Sequence, residues 1–324
     1  MRKTIILSIF ISLIAASLCA QPEKIPYLGD KPGTFEILSR TDYSMYQKFT
    51  SAEMAANLEN LKKLVAIVRE NPVLTDLKGF MGRARIYDIS NTLKCNYGVP
   101  ARVSFEFSDY LYSKGKISYN TIEPPEWSIL LNKISGYFYN FNTEKCMFTI
   151  PFKKETIAPG VDVYDNFTFV IYDPSRPPYW VPVTVEEAFA VAREEAKKEK
   201  DEIAAKYLNE FVEKEWAAIS PANLKNQAYF GGGITRVSDS PGFEGQDNLF
   251  PPIVKVNPEY WDRNLPKSAI QIITLTMSRD KKYMQSEYEW CVKHKYYGET
   301  CNLERFRVTY TEDDIKKLTQ LIGK

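Results

Sequence analysis

The chain has 324 residues, with 42 Lys and Arg against 41 Asp and Glu, one His, five Cys and 14% aromatic side chains. A charge so near balance, with no basic block, argues against nucleic acid as a partner, because that affinity rests on clustered cations. The single histidine excludes the two-histidine zinc peptidases, and no Gly-x-Ser-x-Gly elbow is present to supply a serine nucleophile.

Residues 1–20 read as a signal peptide. Arg2 and Lys3 form a positive start, "TIILSIFISLIAASL" an apolar core too short for a membrane span, and small residues precede Gln21. Cleavage is expected after Ala20, which places the protein outside the cytoplasm, in the periplasm or the medium. Cys19 offers a lipoprotein anchor, but Leu18 occupies a position where lipidation signals carry a small residue. The mature chain, with 40 basic and 41 acidic side chains, contains no further segment apolar enough to span a bilayer.

Residues 21–49, rich in Pro, Gly and charge, read as an extended arm. In "TSAEMAANLENLKKLVAIVREN", Met54, Leu58, Leu61, Val65 and Val68 recur at helical spacing, Thr50 and Glu53 form a capping box, and Pro72 stops the helix. A β-rich stretch follows: "RARIYDIS", "ARVSFEFSDYLYS", "GKISYNTI", "GYFYNFN", "CMFTIPF" and "VDVYDNFTFVIYD". The alternation in "SFEFSDYLY" predicts one wet face, and "EPPEWSILLNKIS" reads as a loop with a short helix. The four prolines of "DPSRPPYWVPVT" place a linker at 174–183. Thr184 and Glu187 then cap a long helix from Val185 to about Ile219. "QAYFGGGITRV", "SAIQIITLTM" and "RFRVTY" read as strands, Ser278–Tyr297 as a helix capped by Ser278 and stopped by Gly298, and Thr311 opens a last helix. The fold class is therefore α+β, as two units, 50–173 and 184–324, each packing a helix on a mainly antiparallel sheet.

Four cysteines remain in the mature chain. In an oxidising compartment they predict disulfides, and Cys95–Cys146 with Cys291–Cys301 keeps one bridge within each unit. His294 lies between Cys291 and Cys301. Cys-x-x-His resembles a zinc spacing, but a structural zinc needs four ligands, so the reading is a disulfide with a histidine near a helix end, and no metal. No cofactor is implied: "YFGGGITRV" lacks the lysine of a phosphate loop. "SRDK" (Ser278–Lys281) and "SYN" (Ser118–Asn120) match penicillin-binding motifs in reversed order and without the Lys-Thr-Gly triad. "NFT" at Asn166–Thr168 is a glycosylation sequon only in a eukaryotic pathway.

Two aromatic–proline clusters stand out, "PPYWVP" with Tyr179 and Trp180, and "NPEYWDRNLP" with Tyr260 and Trp261. Proline stiffens the backbone, and an aromatic ring on a stiff loop forms a platform for a glycan or a partner protein. With the "CAQ" end of the leader, "PPYWVPVTVEEAF" and "NPEYWDRNLPKSAIQ" resemble uncharacterised exported proteins of the Bacteroidota, a likeness that implies export and brings no fold or activity with it. The sequence thus supports an exported, non-enzymatic binding or scaffold protein of an unknown protein or glycan, with Tyr179, Trp180, Tyr260 and Trp261 as its candidate surface. The alternative is a carboxylate-based hydrolase of a glycan or peptide, using Asp162 with Asp165 or Glu259 with Asp262. Burial of both tryptophans at a domain seam would remove the candidate surface.

Overall fold

The computed structural model describes residues 26–40, 49–88, 97–231, 237–242, 250–295 and 301–324. The expected leader, Cys95 and Gly298 lie outside them. The protein is α+β, and four layers are stacked through three apolar clusters.

The outer layer holds helices α1 (Ser51–Val68), α2 (Pro72–Thr75), α6 (Cys301–Thr309) and α7 (Glu312–Lys317). Thr50 and Glu53 form the expected reciprocal capping box on α1, and Thr311 caps α7 in the same way with Asp314. These helices cover one face of a nine-stranded sheet. Its order is β1 (Phe35–Arg40), β2 (Phe80–Asp88), β3 (Ala101–Ser113), β5 (Glu126–Leu131), β15 (Ile272–Thr276), β10 (Thr168–Tyr172), β9 (Val161–Tyr164), β8 (Lys154–Ala158), with β4 (Lys116–Tyr119) as a hairpin partner of β3. All pairings are antiparallel except β1 with β2. The expected arm thus supplies an edge strand.

Period-two alternation decides which residues face the helices. Phe105, Phe107, Trp127, Ile129, Ile273, Leu275, Phe169 and Ile171 pack against Leu61, Val65, Leu303 and Phe306. The other face is divided. Towards β10, the residues Tyr164, Val170 and Ile272 meet a second sheet, ordered β11 (Trp180–Pro182), β14 (Ile253–Val256), β7 (Met147–Thr149), β6 (Tyr139–Asn142), through Phe148, Trp180, Val254 and Val256. Towards β2 and β3 it carries ion pairs and hydroxyls. Arg83 pairs with Glu36 at 3.2 Å, Arg85 pairs with Glu106, and Ser104 Oγ lies 2.9 Å from Ser128 Oγ. The wet face expected of "SFEFSDYLY" is therefore polar but buried: Ser104, Glu106 and Ser108 are all buried.

On its far face the small sheet packs Met147 and Ile253 against α3 (Val185–Lys198) and α4 (Glu202–Ala218). The expected single helix from Val185 to Ile219 is this pair. Glu199 leaves the helical region, and Asp201 accepts from Ala204 N at 2.9 Å to start α4. Folding back lets Phe189 meet Trp216 at 5.3 Å and Arg193 hold Glu213, contacts a continuous helix could not make. A two-stranded ribbon, β12 (Tyr229–Phe230) and β13 (Val237–Ser238), completes this side.

Other expectations are corrected. "EWSILL" is β5, because Trp127, Ile129 and Leu131 alternate into the core. "RFRV" is helical: Leu303, Phe306 and Tyr310 share one helical face in the core. The helix expected from Ser278 begins at Lys282 as α5 (Lys282–His294), with no side-chain cap, and closes on Lys295 in the left-handed region (φ 51°). Segment 174–183 does not separate two units. Both sheets take strands from before and after it, and its Trp180–Pro182 portion is an end strand, the one place in a sheet where Pro182 costs no ladder hydrogen bond.

Candidate functional site

The four candidate aromatics come together, but pointing inward. Tyr179 is 3% exposed, Trp180 8%, Tyr260 0% and Trp261 5%. All four belong to the cluster between the sheets. Trp180 stands edge-on to Phe138 at 5.6 Å, and Tyr260 lies 6.2 Å from Tyr179 and 5.5 Å from Trp261. The platform reading of these residues is therefore corrected. The prolines stiffen the segments that plug the seam between two sheets, where rings bury more area than any loop surface could use.

At the centre of this seam lies Asp162, fully buried. Its carboxylate accepts from Tyr179 Oη at 2.6 Å and Thr156 Oγ1 at 2.6 Å, and pairs with Lys154 Nζ at 2.7 Å. Tyr179 Oη also lies 2.9 Å from Tyr164 Oη. Burial pushes both phenols well above their ordinary range, and raises Tyr172 to about 12. Held protonated, Tyr179 and Tyr172 donate to Asp162 and Tyr164 meets the Tyr179 hydroxyl, so these phenols are not bases. The cluster is a buried charge fully supplied with partners, as burial demands.

The expected carboxylate pairs are not assembled. Asp162 is consumed as described, while Asp165 sits exposed in a left-handed turn (φ 49°). Asp262 is held by Arg176 at 2.7 Å and depressed below the usual carboxylate range by that contact, while Glu259 is exposed.

Cys291 and Cys301 are joined, with Cα atoms 6.1 Å apart, tying the end of α5 to the start of α6. Cys146 is also in a disulfide; its expected partner, Cys95, lies outside the described residues. His294 stacks on Trp290 at 4.5 Å between centroids, with Nδ1 2.8 Å from Trp290 O. In "SRDK", Arg279 pairs with Glu155 and Glu312, and Lys281 Nζ donates to Arg307 O and, at 2.7 Å, to Tyr310 O at the end of α6. Among the described residues no helix is long and apolar enough to cross a membrane, and no three His, Cys, Asp or Glu side chains form a group that could hold a metal.

Two recesses lie at opposite ends of the β7–β14 ribbon. One, of about 520 Å³, is an aromatic–proline groove where β7 ends and β14 begins, lined by Tyr139, Pro151, Phe152, Lys153, Asp165 and Pro251 among others. Tyr139 is 65% exposed and Phe152 43%. Phe152 stacks on Tyr229 with rings 18° apart, and Tyr139 leans on Phe230 at 5.5 Å, so the rings are braced. Tyr139 also opens β6, the end strand of the small sheet among the described residues. The other recess, of about 600 Å³, lies at the start of β7 and has Trp261 among its walls.

Neither family models, characterised proteins nor solved structures give a match to this chain. The groove carries the same signature that drew attention to the two tryptophan clusters, an aromatic beside proline, in "TIPF" and "FPPI". "TIPF" lies within the strand expected of "CMFTIPF", and "FPPI" carries no tryptophan to mark it.

Proposed function

We propose that the protein is an exported binding or scaffold protein whose ligand surface is the aromatic–proline groove beside β6. The observation that carries this reading is the exposure of Tyr139 and Phe152 on braced rings, next to an end strand. A sheet end offers unpaired backbone donors and acceptors, and flanking rings and prolines fit an extended chain. The ligand is accordingly an extended polypeptide segment that lies along β6 with apolar side chains in the groove. The volume falls in the range of ordinary ligand pockets. Export is supported by the leader and by the disulfide at Cys291–Cys301.

The hydrolase alternative has less support. Among the described residues each recess is lined by a single carboxylate, Asp165 in one and Glu187 in the other, whereas glycoside hydrolysis needs two.

Displayed random decapeptides selected on the mature protein, and counter-selected on a Tyr139→Ala/Phe152→Ala double variant, test the reading. Recovery of extended, proline- or aromatic-bearing peptides that bind the parent alone is expected. Failure to recover any such peptide would overturn it. Binding of cellohexaose or xylohexaose that the double variant loses would replace the peptide with a glycan.

A further inference from the structure

The second recess has a different chemistry. Among the described residues Lys145, Lys255 and Arg263 line it, against Glu187 as the one carboxylate, with Trp261 and Tyr97 as aromatic walls. Lys255 is engaged by Glu187 at 2.8 Å and Lys145 by Glu194 at 3.2 Å, an exposed pair of little strength. Arg263 has no carboxylate partner among the described residues. Its guanidinium faces the Tyr97 ring at 6.0 Å, and Tyr97 Oη donates to Arg263 O at 2.7 Å, which fixes the loop that carries it.

Trp261 forms part of the wall of the recess. The side chain is 5% exposed, and its indole Nε1 is buried without an acceptor among the described residues. A buried donor left unpaired costs about 1–3 kcal/mol. Met147, Val256 and Pro258 supply an apolar wall beside these donors.

From this combination we infer that the recess is a binding site for a small organic anion, a carboxylate or phosphate ester carried on a ring. Arg263 and Lys145 receive the charged head, and Tyr97, the accessible edge of Trp261 and the apolar wall hold the ring. The frame of the site is rigid. Cys146, beside Lys145, is disulfide-bonded, and Trp261 packs on Tyr260, whose hydroxyl donates to Gln271 O at 2.5 Å. Among the described residues the site shares no lining residue with the aromatic groove, so each can fail without the other.

The test titrates the mature protein with benzoate, D-glucuronate and phenyl phosphate, and with the neutral analogues benzyl alcohol and methyl glucoside, by calorimetry and indole fluorescence. At least one anion is expected to bind about tenfold more tightly than its neutral counterpart, a difference of about 1.4 kcal/mol, and more weakly as salt is raised. Arg263→Gln, an exposed change that leaves the core intact, is expected to lower affinity about tenfold. Trp261→Phe is expected to abolish the fluorescence response, and Tyr139→Ala to leave anion affinity unchanged. A carboxylate-only response would identify the head group as a carboxylate, and a response to phenyl phosphate alone as a phosphate ester. Equal binding of neutral and charged analogues, affinity indifferent to Arg263→Gln, or no binding of any of the three anions would overturn the inference.

Discussion

The aromatic seam between the two sheets and the aromatic groove at the end of the small sheet are built from the same residue types, Tyr, Trp or Phe beside Pro, yet one is core and the other surface. The difference is topological. Trp180 lies in an end strand whose inner face meets Phe148 on β7 and Phe138 just before β6. Tyr139 is the next residue after Phe138 and points the opposite way. One step along a strand exchanges inside for outside. Composition selects residues able to bury or to bind; only the neighbouring layer decides which they do.

The comparison is broken most directly by truncation in the seam. Trp180→Ala should cost about 3–5 kcal/mol, since a large ring is removed from a packed core. The fall appears as a lower urea midpoint with an unchanged slope. A loss below about 1 kcal/mol would show that the sheets do not depend on this seam. Next, the paired change Cys291→Ser/Cys301→Ser should cost about 3 kcal/mol, the chain-entropy value for so short a loop. It should raise hydrogen exchange first in α5, whose buried residues are only Met284 and Cys291.

Tyr179→Phe is a finer cut. It keeps the ring and removes one donor from a buried carboxylate, leaving Asp162 with Thr156, Lys154 and the 3.3 Å contact from Tyr172 Oη. The expected loss is about 1–3 kcal/mol, with groove binding retained.

Much of the architecture was legible where periodicity and caps agreed. Thr50 and Glu53 announced α1, and the alternation in β2, β3 and β10 announced strands. The split of one long helix into α3 and α4 was not legible, because "KEKDE" is compatible with a solvated helix and only the meeting of Phe189 with Trp216 rewards a turn. "RFRVTY" satisfied a strand pattern and a helix pattern equally, and the core chose the helix through Phe306 and Tyr310. Of the candidate site, the sequence singled out residues that do meet one another, but nothing in a single chain says that a second sheet covers them. Arg263 lies within "NPEYWDRNLP", yet that it has no carboxylate partner among the described residues is visible only in three dimensions.

Titration sharpens the same contrast. Burial lowers Lys281 to about 8 from 10.5. Between these values the unfolded chain binds more protons than the folded one, so stability should rise with pH from about 8 to about 10. The seam tyrosines act in the opposite sense. Their unfolded phenols ionise near pH 10 while the folded ones resist, with Tyr172 raised to about 12, so the unfolded chain holds fewer protons and stability should fall above pH 10. Urea midpoints at pH 7, 9 and 11 check this. Lys281→Met should flatten the rise, and Tyr179→Phe should soften the fall; a midpoint constant across the series would contradict both assignments.

The smallest effect on stability is expected at the groove, where it carries the largest consequence for function. Tyr139 and Phe152 are mostly or partly in water, so Tyr139→Ala and Phe152→Ala each remove little buried area and should shift stability by no more than about 0.5 kcal/mol. Each ring nevertheless has a partner, Phe230 for Tyr139 and Tyr229 for Phe152. Loss of the braced pair should therefore reduce binding of a selected peptide by at least about tenfold, or about 1.4 kcal/mol, more than the cost to the fold. Equal costs to fold and binding would mean that the groove is a partly covered piece of core. A cost to binding alone separates it from the seam, and adding Trp180→Ala at a temperature where that variant remains folded should then leave the peptide affinity unchanged.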